Sequence, residues 1–128
     1  NVIKQSLANA NLQPEDIGHI HGHGMSTINA DRGEAVAINK IFGNQTPVVA
    51  AKSYMGNLGA GSGSVEMISS LLALDKGTLF KTLNYDTPDP LCDIQVTNSI
   101  DIPAGDSFIN LNASPQGQAS AVVIKSLQ

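Results

Sequence analysis

The sequence predicts an α/β layered domain. Three observations carry that expectation. Helix-period apolar stripes alternate with short strand-like runs as far as residue 76, a continuous apolar run occupies residues 47–51, and two alternating segments close the chain.

Residues 2–10 place Val2, Ile3, Leu7 and Ala10 at helical spacing, with Asn11 as a stop and Pro14-Glu15-Asp16 as a turn. Residues 17–21 read as a short strand. Asp31 can then cap a helix running to about Phe42, with Glu34 in its first turn and Ala35, Val36, Ile38 and Ile41 as its buried stripe. Gly43-Asn44 ends it. The run at 47–51 has the pattern of a strand buried on both faces. A glycine-rich loop at 56–63 feeds a helix over 64–76. Its Val65, Met67, Ile68, Leu71, Leu72 and Leu74 leave little polar face, which predicts burial in the middle of the protein. Residues 79–91 are expected to be irregular. Residues 107–112 and 119–125 form two strands returning through Pro115-Gln116-Gly117.

Composition narrows the function classes. A chain of 128 residues fits one domain and buries roughly two-thirds of its unfolded surface. A net charge of −4 with only 7 Lys and Arg disfavours a nucleic-acid partner. No apolar run is long enough to span a bilayer. The one cysteine precludes an internal disulfide and fits a reducing, cytoplasmic compartment. Asn1 in place of Met, together with the low charge and 12 glycines, predicts a piece of a longer polypeptide that buries surface against a partner.

The chemistry is concentrated in two turn-rich segments, Gly22-His23-Gly24-Met25-Ser26-Thr27 and Lys52-Ser53-Tyr54-Met55-Gly56-Asn57. Each follows an apolar strand-like run, and each delivers a donor suited to a carbonyl oxygen: His23 and Asn57. Neither has a nucleophile beside it, which suggests half of an acyl-transfer site.

These segments resemble the C-terminal half of an elongating β-ketoacyl-[acyl carrier protein] synthase, a thiolase-like condensing enzyme. His23-Gly24-Met25-Ser26-Thr27 corresponds to the family's H-G-T-G-T, and Asp31 and Glu34 to the D-x-x-E that follows. Lys52, Ser53, Gly56, Ser62-Gly63 and Glu66 meet its K-S-x-x-G-H pattern, with Asn57 where the family has a second His. Leu83-Asn84-Tyr85 and Thr87-Pro88-Asp89-Pro90 resemble its next segment, and 114–119, including Gly117, its terminal glycine-rich loop.

The resemblance implies a mixed β-sheet with buried and covering helices, and decarboxylative condensation of malonyl carrier protein with an acyl thioester. It implies His23 and Asn57 as enolate-stabilising donors, Lys52 as a source of positive potential, and Glu66 as its buried partner. The nucleophilic Cys would lie in a missing N-terminal half. The implied partners are acyl carrier protein, acyl and malonyl thioesters, that N-terminal half and a second copy in a homo-oligomer. No cofactor is expected.

Three departures stand out: Met25-Ser26 replaces Thr-Gly, Asn57 replaces His, and Pro115-Gln116 replaces Phe-Gly in the gating loop. They suggest a divergent synthase or a non-catalytic homologue akin to a chain-length factor.

Other readings are weaker. His19, His21 and His23 alternate, which on a strand would face a metal together, but no Cys or Asp follows at ligand distance. His19 and His21 are better read as polar side chains at a strand end. Gly56, Gly59, Gly61 and Gly63 match no phosphate-loop spacing. Cys92 has no basic neighbour or helix N-terminus to lower its pKa and reads as structural.

Overall fold

The computed structural model describes residues 1–127. Helix α1 (Val2–Ala10) ends where Asn11 takes the left-handed conformation, with φ 53°, and a single 3₁₀ turn over Pro14–Asp16 leads into β1 (His19–His21). Helix α2 (Ile28–Phe42) and β2 (Pro47–Val49) follow, then the one-turn α3 (Lys52–Met55) and α4 (Ser62–Lys76). The chain closes with β3 (Gln95–Val96), β4 (Ser107–Ala113) and β5 (Ala119–Lys125).

The five strands form one sheet in the order β3-β2-β1-β4-β5, and β1 is its centre. The first four run parallel, and only β5 runs antiparallel, paired to β4. The α/β layered reading and the mixed sheet are therefore correct. So is the terminal strand pair, while the two-residue β3 was not foreseen.

Period-two alternation assigns the two faces of β1. Ile20 joins Ile3, Leu7, Ile17, Ile38, Phe42, Val48, Ile109 and Leu111 in the main core, between the sheet and α1 with α2. His19 and His21 point the other way, toward α4, where Val49, Ala73, Leu79 and Ala104 form a smaller apolar cluster. The molecule is thus layered helices, sheet, helix. Gly18 makes one crossing possible: a Cβ there would stand 2.7 Å from both the Ala104 carbonyl oxygen and the Gly105 Cα.

Several expectations need correction. Thr27, not Asp31, is the N-cap of α2; Asp31 lies in its first turn and Glu34 in its second. Val36 is 62% exposed rather than part of the buried stripe, a place that Phe42 takes together with Ala35 and Ile38.

The larger correction concerns α4. It is not enclosed within this chain, since Ile68 is 55% and Leu72 56% exposed, and Leu71 is exposed as well. The face against the sheet carries Ser62, Glu66, Ser70 and Ala73. The sheet offers α4 the β1 histidines, and the start of α3 offers it Lys52, so the polar side of the helix is the complementary one. The apolar stripe is left largely uncovered among the described residues. No helix among the described residues is long and apolar enough to cross a membrane.

Candidate active site

β1 and β2 are adjacent parallel strands, so the loops leaving their C-terminal ends emerge side by side. The first carries His23 and the second begins α3 at Lys52. Glu66 reaches the same point from the second turn of α4.

The Lys52 ammonium donates to Glu66 Oε1 in a buried ion pair, and to the His23 carbonyl oxygen at 2.7 Å. It also lies 3.3 Å from His23 Nδ1. An ammonium has donors only, so Nδ1 is the acceptor and the neutral His23 ring carries its proton on Nε2. Burial lowers the pKa of His23, and the Lys52 charge lowers it further; Glu66 and a side-chain hydrogen bond with Asn112 oppose this. Burial raises the pKa of Glu66 against the pull of Lys52, and its Oε2 is buried without a hydrogen-bond partner among the described residues.

The loop bearing His23 is held from below by Glu34. Its Oε1 accepts the His23 amide at 2.5 Å and its Oε2 the Gly24 amide at 3.0 Å. Burial raises the pKa of Glu34, while these two amides favour its anion. Asp31 accepts the Ser26 amide at 3.1 Å, so both acids serve the loop backbone. Gly24 itself sits at φ +53°, where a Cβ would come within 2.8 Å of the Ala50 Cβ.

Asn57 bonds within its own loop: its Oδ1 accepts from the Gly59 amide and from Ser62 Oγ, each at 3.1 Å. An amide N–H can only donate, which fixes the oxygen on that side and leaves Nδ2 as the donor end. Asn57, Lys52 and Thr27 line a cavity of about 520 Å³, whereas His23 borders a separate one of about 320 Å³ with Met25, Leu111 and Asn112.

His23, Lys52 and Glu66 are therefore brought together. Gly117 is not among them: it turns the β4–β5 hairpin at φ +84°, with nothing within 4 Å of where a side chain would begin. Cys92 lines the larger cavity, but burial and the neighbouring Asp89 and Asp31 push its thiol pKa up, away from thiolate chemistry.

Sequence reasoning missed two features. The first is Asn112 beside the His23 ring. Asn110 and Asn112 share one face of β4, and His21 pairs with Asn110, so the alternation continues toward His23. The second is Ser70, which meets both His19 and His21. The ring nitrogens of these two histidines are fully used inside the fold. Among the described residues no group of three or more His, Cys, Asp or Glu is arranged to hold a metal ion.

With this geometry established, the similarities to known proteins become specific. The domain family described as "Beta-ketoacyl synthase, C-terminal domain" matches residues 1–86. The chain belongs to the β-ketoacyl synthase family of condensing enzymes, in its C-terminal domain. It is 34% identical over 101 residues to Nodulation protein E of Rhizobium leguminosarum bv. trifolii, covering 77% of this chain and 25% of that protein. It is 35% identical over 130 residues to a putative polyketide β-ketoacyl synthase 1 of Streptomyces virginiae, covering 98% of this chain and 31% of that one. The chain thus spans about a quarter to a third of the length of these relatives.

Among solved structures, the ishigamide ketosynthase/chain length factor superposes with a TM-score of 0.93 at 25% identity, over 98% of this chain and 32% of the other. A type II polyketide synthase acyl-carrier protein in complex with its ketosynthase, bound to the hexaketide, gives a TM-score of 0.93 at 28% identity, over 98% and 32%. The thiolase-like fold read from the motifs is the fold observed.

Proposed function

We propose that this chain supplies the enolate-stabilising half of a ketosynthase acting on malonyl and acyl thioesters carried by an acyl carrier protein. The observation that carries the reading is the Lys52–His23 contact. By occupying Nδ1, the ammonium leaves the neutral ring with Nε2–H as a donor, which is the form that can stabilise an oxygen gaining negative charge. The lowered pKa of His23 supports the same form near neutrality. Asn57, with its NH₂ end as donor, is the second candidate.

In this reading, loss of CO₂ from malonyl thioester leaves an enolate whose oxygen the His23 Nε2–H holds, with Asn57, on the adjoining cavity, as the second candidate donor. The enolate carbon then attacks the carbonyl of an acyl thioester on a Cys outside this chain, forming the C–C bond as the C–S bond breaks and the Cys sulfur leaves as thiolate. Lys52 fixes the His23 tautomer, Glu66 balances the lysine, and Asp31, Glu34 and Thr27 shape the loop.

The test is malonyl decarboxylation by the complete polypeptide that carries these residues. His23→Ala should abolish it, and Asn57→Ala should slow it by about 10²–10³-fold, the usual loss for one oxyanion donor. Unchanged turnover in His23→Ala would sink the reading.

A second reading, a non-catalytic partner subunit that shapes an acyl tunnel, draws on the departures at Met25, Ser26 and Asn57. It draws too on the likeness to the ishigamide ketosynthase/chain length factor. It requires that the complete polypeptide carry no acyl group after incubation with a long-chain acyl-carrier thioester; an adduct in the intact mass excludes it.

A further inference from the structure

We propose that His21, Ser70 and His19 form a one-way hydrogen-bond wire that positions Lys52, making His21 and Ser70 positioning residues for the site above.

Each link of the wire is forced by its neighbours. The Ala51 backbone N–H can only donate, and it meets His21 Nε2 at 3.2 Å, so that nitrogen is the acceptor. The proton of the neutral His21 ring then sits on Nδ1, which donates to Ser70 Oγ at 2.7 Å. The Ser70 hydroxyl, already accepting, donates onward to His19 Nε2 at 3.0 Å. His19 must therefore carry its proton on Nδ1. There it meets the Ala104 carbonyl oxygen at 2.8 Å, a group that can only accept. Assigned from either end, the wire has the same direction.

The neutral state it requires agrees with the surroundings. His19 and His21 are fully buried, Phe108 stacks on His19, and Phe80 leans on His21. Burial, then the repulsion a protonated His19 would exert and the Lys52 charge, lower the His21 pKa to about 3.

The wire runs alongside the site. His21 ends the strand from which the loop bearing His23 leaves, two residues before it; Ala51 immediately precedes Lys52, and Ser70 lies one helical turn beyond Glu66. The three elements that supply His23, Lys52 and Glu66 are thus tied together a second time, beneath the site, by groups that touch no substrate. Ala51 is also the N-cap of α3, so its amide sets the direction in which Lys52 leaves the sheet.

The wire stands on geometry alone, while the kinetic part of its test rests on the function proposed for His23 and Lys52. In the complete polypeptide with ¹⁵N-labelled histidine, NMR should find His19 and His21 both as the Nδ1–H tautomer; an Nε2–H tautomer at His21 overturns the proposal. Ser70→Ala should lower kcat for malonyl decarboxylation about tenfold with KM unchanged, as expected of a small misplacement, and Ser70→Thr should restore it. Unchanged kcat in Ser70→Ala, or no recovery in Ser70→Thr, overturns it as well. Should Ser70→Ala fail to fold, the wild-type tautomers decide alone. If the wild type does not decarboxylate malonyl thioesters, the functional reading fails. The wire is then judged by the tautomers and by faster exchange of the Ala51 amide in Ser70→Ala.

Discussion

Glu34 grips the backbone of His23 from eleven residues away, its Oε1 accepting the His23 amide at 2.5 Å while Oε2 takes the neighbouring Gly24 amide. One carboxylate thereby satisfies two loop donors that no strand or helix would otherwise pair. Glu34→Ala is expected to destabilise the protein by about 2–3 kcal/mol, the scale of hydrogen bonds to a charged group. Glu34→Gln should recover little of this, because an amide offers one oxygen where two donors converge. Urea denaturation of the two variants checks the ordering.

The Lys52–Glu66 pair calls for a different experiment. Both side chains are buried, so removing one leaves the other as an uncompensated charge. Glu66→Ala should therefore cost about 3–5 kcal/mol, and the double change Lys52→Met with Glu66→Leu should be more stable than Glu66→Ala. A double-mutant cycle by denaturant unfolding gives the coupling directly. Additive effects would mean that the two do not act as a pair.

His21 sets a pH dependence whose sign can be worked out. Its folded pKa of about 3 lies below the 6.5 of the free side chain. Above 6.5 neither state binds the proton and the full stability is present. As pH falls below 6.5 the unfolded chain binds a proton that the native state refuses, and stability is lost down to about pH 3. One pKa unit corresponds to about 1.4 kcal/mol, so acidification from pH 7.5 to 5.0 removes about 2 kcal/mol through this residue. The raised pKa values of Glu34 and Glu66 act in the opposite direction. The clean comparison is wild type against His21→Gln: the advantage of wild type at pH 7.5 should shrink by about 2 kcal/mol at pH 5.0. A constant difference would place the His21 pKa near its ordinary value.

The outward face of α4 yields a prediction about association. Ile68, Leu71 and Leu72 are exposed on one stripe. The isolated 128-residue chain should therefore self-associate, and Ile68→Lys with Leu72→Lys should shift it toward monomer in size-exclusion chromatography. Placed in the complete polypeptide, the same pair should lower the thermal midpoint, because there the stripe is expected to be covered. A double variant that is neutral in both settings would mean that the stripe has no partner.

Much of the fold was legible because it is written in local periodicities. α1 begins and ends where Val2, Ile3, Leu7 and Asn11 predict, and the β4–β5 return falls at the Pro115–Gly117 turn. What escaped depended on contacts between distant segments. Period alone could not say which face of α4 turns inward, because that is decided by His19, His21 and Lys52 on other elements. The helix starts at Ile28, ahead of Asp31, whose carboxylate reaches back to the Ser26 amide, a contact with the His23 loop that periodicity does not reveal. His23, Lys52 and Glu66 were nameable from motif spacing, whereas Asn112 and Ser70 matter only through the register that carries them to histidines ninety and fifty residues away, roughly.

A helix that turns its greasy side outward also leaves a thermodynamic signature. Heat-capacity change on unfolding reports newly wetted apolar surface, and a 128-residue globule typically gives about 1.5–1.9 kcal/mol/K. In the monomeric chain part of the apolar surface of α4 is already wet before unfolding begins. Its increment should fall below that range, flattening its stability curve and moving any cold-denaturation limit to lower temperature.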